Sequence, residues 1–177
     1  MKTRQFGLLS AVSLLLPLAF AHNIVDFGAL ADNDLLYAEQ HNANAFNEAL
    51  VAANFTADDR VVYVPANMTF HTMPIYANYL RNVTIRIDGT IKFSKRHREW
   101  SMRSESAYHD CIQFKDGENI RIVGNGTIDG QGYMWWVREW LSLNKHKRPV
   151  LLKMQRVRNI EITGVRWLNS PRFNIWL

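Results

Sequence analysis

"NIRIVGNGTIDGQG", Asn119 to Gly132, alternates buried-type Ile120 and Ile122 with polar Arg121, and breaks at Gly124 and Gly126. It resumes at Ile128 and breaks again at Gly130 and Gly132. Alternation with period two marks a strand with one covered face, and the glycines mark tight corners. The pattern recurs upstream as "NVTIRIDGTIKF" (Asn82 to Phe93) and downstream as "NIEITGVRWLNSP" (Asn159 to Pro171). Each unit opens on Asn, and the openings recur at intervals of about 40 residues, a period typical of solenoids. One such unit cannot bury its apolar side alone; stacking on the next unit does. An antiparallel sandwich is the alternative arrangement of the same strands.

Working outward, Asn23 to Phe27 is a short strand candidate ending at Gly28. Asn42 is placed to cap a helix over about Ala43 to Ala53, with Phe46, Leu50 and Val51 on its covered face. "RVVYV" (Arg60 to Val64) is a strand ended by Pro65. The insertions between units, Ile91 to Arg103 and Tyr133 to Pro149, interleave basic residues with Trp100, Trp135, Trp136 and Trp140. Bases beside exposed aromatics suit a nucleic acid or a sugar acid. The alternative is that "WWVREWLSL" forms a short amphipathic helix packing its tryptophans on the solenoid.

The chain opens with Lys2 and Arg4, an apolar run from Phe6 to Leu18, and Ala19-Phe20-Ala21. This is the form of a secretory signal over residues 1–21, with the mature chain expected from His22. No later stretch approaches the roughly 20 apolar residues of a membrane span. Loss of the signal removes two of the 21 basic residues, leaving a surplus of three over the 16 acidic ones. Secretion argues against a nucleic-acid partner. Four sequons, at Asn54, Asn67, Asn82 and Asn125, are candidate N-glycosylation sites in a secreted chain. Cys111 is the sole cysteine, which implies a free thiol or a partner elsewhere.

The six histidines show no paired spacing, and one cysteine builds no thiolate cluster, so no metal site is expected. No glycine-flanked serine elbow occurs, and "GNGTIDGQG" lacks the helix that a phosphate-binding loop requires. Glycoside hydrolysis needs two carboxylates facing one bond. Asp32, Asp34, Asp58 and Asp59 read as loop and turn residues. Asp88 and Asp129 each precede a glycine at a corner, so stacked coils offer a way to bring them together, although Asp-Gly is itself a common turn pair. His109 and Asp110 are adjacent; in a strand they would point to opposite faces.

These segments together resemble the polygalacturonases, glycoside hydrolase family 28. The resemblance rests on "NIVDFGA" (Asn23 to Ala29), "VVYVPA" (Val61 to Ala66), "NVTIRIDGTIKFS" (Asn82 to Ser94), "NIRIVGNGTIDGQGYMWW" (Asn119 to Trp136), "RPVLLKM" (Arg148 to Met154) and "NIEITGVRWLNSPRFNIWL" (Asn159 to Leu177), in that order. It implies an all-β, right-handed parallel β-helix with a short capping helix near its N-terminus. It also implies an inverting hydrolase of α-1,4-galacturonosyl links in pectin or polygalacturonate. Such an enzyme needs no cofactor, acts outside the cell and works as a monomer. The family's Asn-Thr-Asp, Asp-Asp, Gly-His-Gly and Arg-Ile-Lys motifs follow the segment that "NSPRFNIWL" resembles. None occurs here, so no residue up to Leu177 is assigned a catalytic role; residues 22–177 are expected to be N-terminal coils. Where the family carries an aspartate-rich turn, this chain reads "ADNDLLYAEQHNANAF" (Ala31 to Phe46). An inactive sugar-binding remnant using Trp100 or the Trp135-Trp136 pair, and a pectin lyase on the same scaffold, are the rival readings.

Overall fold

A computed structural model describes residues 22–177; the signal segment lies outside the described residues. In chain order the elements are β1 (His22–Asn23), α1 (Leu36–Phe55), β2 (Val61–Val64), β3 (Thr69–Thr72) and β4 (Ile75–Asn78). There follow β5 (Thr84–Ile87), β6 (Thr90–Phe93), the small strands β7 (Met102–Ser104) and β8 (Ala107–Tyr108), and β9 (Ile112–Lys115). Next come β10 (Glu118–Val123), β11 (Thr127–Asp129), α2 (Tyr133–Trp140) and β12 (Leu152–Gln155). The described chain closes with β13 (Arg158–Thr163), β14 (Arg166–Leu168) and β15 (Ile175–Trp176).

Three parallel sheets form the sides of a right-handed β-helix. The first stacks β1-β2-β5-β10-β13, the second β3-β6-β11-β14, and the third β4-β9-β12-β15. Only β7 and β8 pair antiparallel. The sandwich alternative is thereby excluded. Inside, like sits on like: Val62, Ile85, Ile122 and Ile162 align in one sheet, and Ile75, Ile112, Leu152 and Ile175 in another. These ladders bury the alternate residues of each strand, which is why period-two sequence was needed at every coil.

The recurring Asn has a definite role. Asn82, Asn119 and Asn159 adopt left-handed φ of 54°, 54° and 53° at the corner entering the first sheet. Their amides stack, Asn119 Nδ2 donating to Asn82 Oδ1 at 2.7 Å and Asn159 Nδ2 to Asn119 Oδ1 at 2.8 Å. Asn tolerates that backbone conformation, and the ladder links successive coils.

Three local expectations are corrected. The helix begins at Leu36, seven residues earlier than Ala43, and Asn42 does not cap it. Asn42 is buried inside it and bonds Leu30 N, Leu30 O and His71 O at 2.6, 3.0 and 2.7 Å. Glu39 is also buried, held by Ser94 Oγ at 2.7 Å and by Arg96. Polar residues with tertiary partners hid the covered face, and the "ADNDLLYAEQHNANAF" segment became the helix's first turns. Val51, expected on the covered face, is 54% exposed. At the start, only His22–Asn23 is strand. Asn23 Oδ1 then accepts Val25 N–H and opens a single 3-10 turn, Ile24–Phe27, closed by Gly28 at φ 91°. Finally, Asp88 and Asp129 are not equivalent: Asp129 stacks between Lys92 and Leu168, while Asp88 Oδ1 accepts the N–H of Asn125, its neighbour one coil on.

Candidate functional site

Residues 94–111 and 130–151, between the second and third sheets, build one wall beside the third sheet. Its base is an aromatic cluster: Trp100 lies edge-on to Trp135 at 5.7 Å, and Tyr108 to Trp135 at 4.9 Å. Both tryptophans are buried, which removes Trp100 and Trp135 as sugar platforms. Trp136 is half-buried and donates its indole N–H to Ser170 O at 2.8 Å, whereas Trp140 is 84% exposed. The helix expected in this segment exists, but packs only part of its tryptophan set.

Asp110 is the fixed charge of the site. It is not in a strand, so the argument from alternating faces does not apply to it. It is buried, accepts Val150 N–H on Oδ1 at 2.9 Å, and faces Arg103 Nη1 at 2.7 Å and Lys153 Nζ at 3.7 Å on Oδ2. Lys153, on β12, lies with its ammonium 5.0 Å from the ring centre of Trp176. Burial holds the Lys153 ammonium below the ordinary lysine range; Asp110 opposes the shift and Arg103 adds to it.

Around this pair opens a cavity of about 250 Å³ whose lining includes Arg103, Lys147, Arg148, Lys153, Arg172 and Trp176. A second cavity, about 420 Å³, adjoins it through Lys147, Arg148 and Arg172 and adds Lys145, His146 and Glu139. The continuous trough thus gathers six cations against two carboxylates, Asp110 and Glu139. That surplus exceeds the net charge of residues 22–177 as a whole. Among the described residues, Lys145, Lys147 and Arg172 have no carboxylate within ion-pair distance. Arg148 is tied to Glu139 at 3.3 Å and to Pro171 O at 2.7 Å. Unpaired cations converging beside a half-exposed indole form a receptor for a polyanion that also has apolar faces.

A family model for glycosyl hydrolases family 28 matches residues 56–177. The chain belongs to that family. This family 28 chain is 27% identical over 176 residues to a probable polygalacturonase of Vitis vinifera, covering 89% of itself and 34% of that relative. It is 26% identical over 162 residues to a polygalacturonase of Cryptomeria japonica, covering 86% of itself and 29% of the relative. It therefore spans about a third of the length of these curated relatives. Among solved structures, an exopolygalacturonase from Thermotoga maritima superposes with TM-score 0.61 at 22% identity, over 84% of this chain and 41% of the other. A putative glycosyl hydrolase from Parabacteroides merdae superposes with TM-score 0.68 at 18% identity, over 87% and 69%. These likenesses establish the fold.

The family 28 chain holds no acid–base pair in the trough: Asp110 is consumed by two cations and a backbone N–H, and Glu139 by Arg148. No group of three potential metal ligands occurs among the described residues. Among these residues, no helix is long and apolar enough to cross a membrane. Cys111 is a free thiol, wholly buried, and burial raises its pKa well above the ordinary thiol value. The sequons differ in setting. Asn54 bridges α1 to the neighbouring corner, accepting Arg81 N–H at 2.7 Å, and Asn82 belongs to the asparagine ladder. Asn67 and Asn125 are exposed at corners between the first and second sheets. The "KHKR" run, Lys145 to Arg148, was visible in sequence as charge alone. Its joining to Arg103, Lys153 and Arg172 spans three coils and had no local signal.

Proposed function

We propose that this chain is the N-terminal part of a secreted pectin hydrolase, which cleaves α-1,4-galacturonosyl links with inversion and without a cofactor. The observation that carries the reading is the cationic trough beside the third sheet, in a family 28 chain. Galacturonan presents one carboxylate per sugar, and the trough presents Lys145, Lys147 and Arg172 with no carboxylate partner among the described residues. In an inverting hydrolase one carboxylic acid protonates the leaving oxygen while a carboxylate across the bond activates water. We assign those groups to sequence beyond Leu177, and to the trough the task of holding the acidic chain in register. Of the four sequons, Asn67 and Asn125 are the exposed pair suited to carry glycans, away from the trough-bearing sheet.

The test uses full-length protein with polygalacturonate. Reducing ends should appear without the ultraviolet absorbance of an unsaturated product; that absorbance would identify a lyase instead. Lys153→Met should raise KM about tenfold, the scale of a lost hydrogen bond to a charged group, with kcat little changed. An unaltered KM would remove the trough from substrate binding.

A further inference from the structure

The third sheet carries a different cavity at its opposite end. Tyr76, Gln113, Lys153 and Trp176 sit side by side in register on β4, β9, β12 and β15, forming the row that faces outward. At about 4.8 Å between strands, Tyr76 and Trp176 stand roughly 14 Å apart. The trough occupies the Lys153–Trp176 end. At the Tyr76 end opens a cavity of about 200 Å³, whose polar lining is Gln40, Asn44 and Asn47 of α1 together with Tyr76, Glu99 and Ser101.

Its chemistry is the reverse of the trough's. No lysine or arginine lines it, and its single charged group, Glu99, is a carboxylate. Gln40, Asn44 and Asn47 fall on one face of α1 at spacings of four and three residues. Among the described residues the Gln40 and Asn44 amides have no hydrogen-bond partner, so each offers both donors and an acceptor. Tyr76 is 53% exposed. Its ring is stacked on His109 at 5.5 Å, and its backbone N–H is held by Asn47 Oδ1 at 3.1 Å, so the ring is a supported platform. A uronate entering here would meet Glu99 and no counter-charge. An uncharged pyranose would meet amides for its hydroxyls, an acceptor in Glu99 and an aromatic face.

We infer that this cavity binds an uncharged pyranose of the same polymer whose acidic residues lie in the trough. The substrate is then a mixed pectic chain, acidic at one end of the groove and neutral at the other. The inference rests on the pectin reading above. The uncharged residue has two sources, a methyl-esterified galacturonate or a neutral deoxyhexose alternating with galacturonate.

The experiment titrates full-length protein with three oligomers: fully acidic galacturonate, part-methyl-esterified galacturonate, and galacturonate alternating with a neutral deoxyhexose. Tyr76→Ala should weaken binding of one of the mixed oligomers about fivefold and leave the acidic oligomer within about twofold. The oligomer that responds identifies the source. Glu99→Lys, a change at an exposed loop position, should shift preference toward the acidic oligomer by about fivefold. Equal weakening of all three by Tyr76→Ala, or an unchanged preference in Glu99→Lys, would overturn the inference. If Lys153→Met weakens the acidic oligomer while both of these variants behave as wild type, the trough stands and the neutral site falls. If the unmodified protein binds none of the three, both readings fall.

Discussion

Replacing Asp110 by Asn keeps the shape of the side chain and removes its charge where two cations depend on it. The amide oxygen can still accept the Val150 N–H, now at 2.9 Å. The new NH₂ group would face Arg103 Nη1 and Lys153 Nζ, at present 2.7 and 3.7 Å from Oδ2, so donors would oppose donors. Losing the charge-assisted bond to Arg103 costs about 1.5–3 kcal/mol. The longer Lys153 contact, whose lysine is partly solvated, adds about 0.2–1 kcal/mol. The expected loss is therefore about 2–4 kcal/mol, below the upper range for fully buried pairs because both cations retain some solvent. Urea unfolding of full-length protein measures it, and a second variant tests the cause. In Asp110→Asn/Arg103→Met the stranded guanidinium is gone, so the double variant should be less destabilised than the sum of the two single changes. Additive losses, or an Asp110→Asn loss below about 1 kcal/mol, would refute the account of Asp110 as the trough's organising charge.

Two other outcomes follow from the coils and their cap. Burial raises the Glu39 carboxyl above its ordinary value, while Ser94 and Arg96 pull it back down. A raised folded-state pKa means the native chain holds a proton that the unfolded chain has released, so this contribution is complete below the unfolded value and fades as pH rises through the folded one. Wild type should accordingly lose ground to Glu39→Gln as pH climbs from about 4.5, read from urea midpoints of both across that window. A constant difference would place the Glu39 proton outside the folding equilibrium. Asn119→Ala removes two ladder hydrogen bonds and puts alanine at φ 54°. It should cost about 2–3 kcal/mol, whereas Asn119→Gly, which relieves the backbone term, should cost less by about 1 kcal/mol in the same measurement.

Sequence alone determined the coil. Period-two apolar residues, corner glycines and an Asn at each opening are local facts, and a parallel solenoid is the arrangement that lets every unit cover its neighbour's apolar face. The register of β5, β10 and β13 is therefore readable from Asn82, Asn119 and Asn159. Tertiary structure decided what local pattern does not encode. The first turns of α1 were illegible because Glu39 and Asn42 look like surface residues until Ser94, Arg96, Leu30 and His71 are brought to them. Asp88 and Asp129 looked equivalent because Asp-Gly recurs, yet hydrogen-bond register, not dipeptide identity, sets which residues stack. The trough was the least legible feature. Its charges come from insertions and strands far apart in the chain, and only the stacking of coils brings Arg103, Lys153 and Arg172 around one buried carboxylate. Local periodicity specifies the repeating backbone; the convergence of unlike charges is a property of the folded whole.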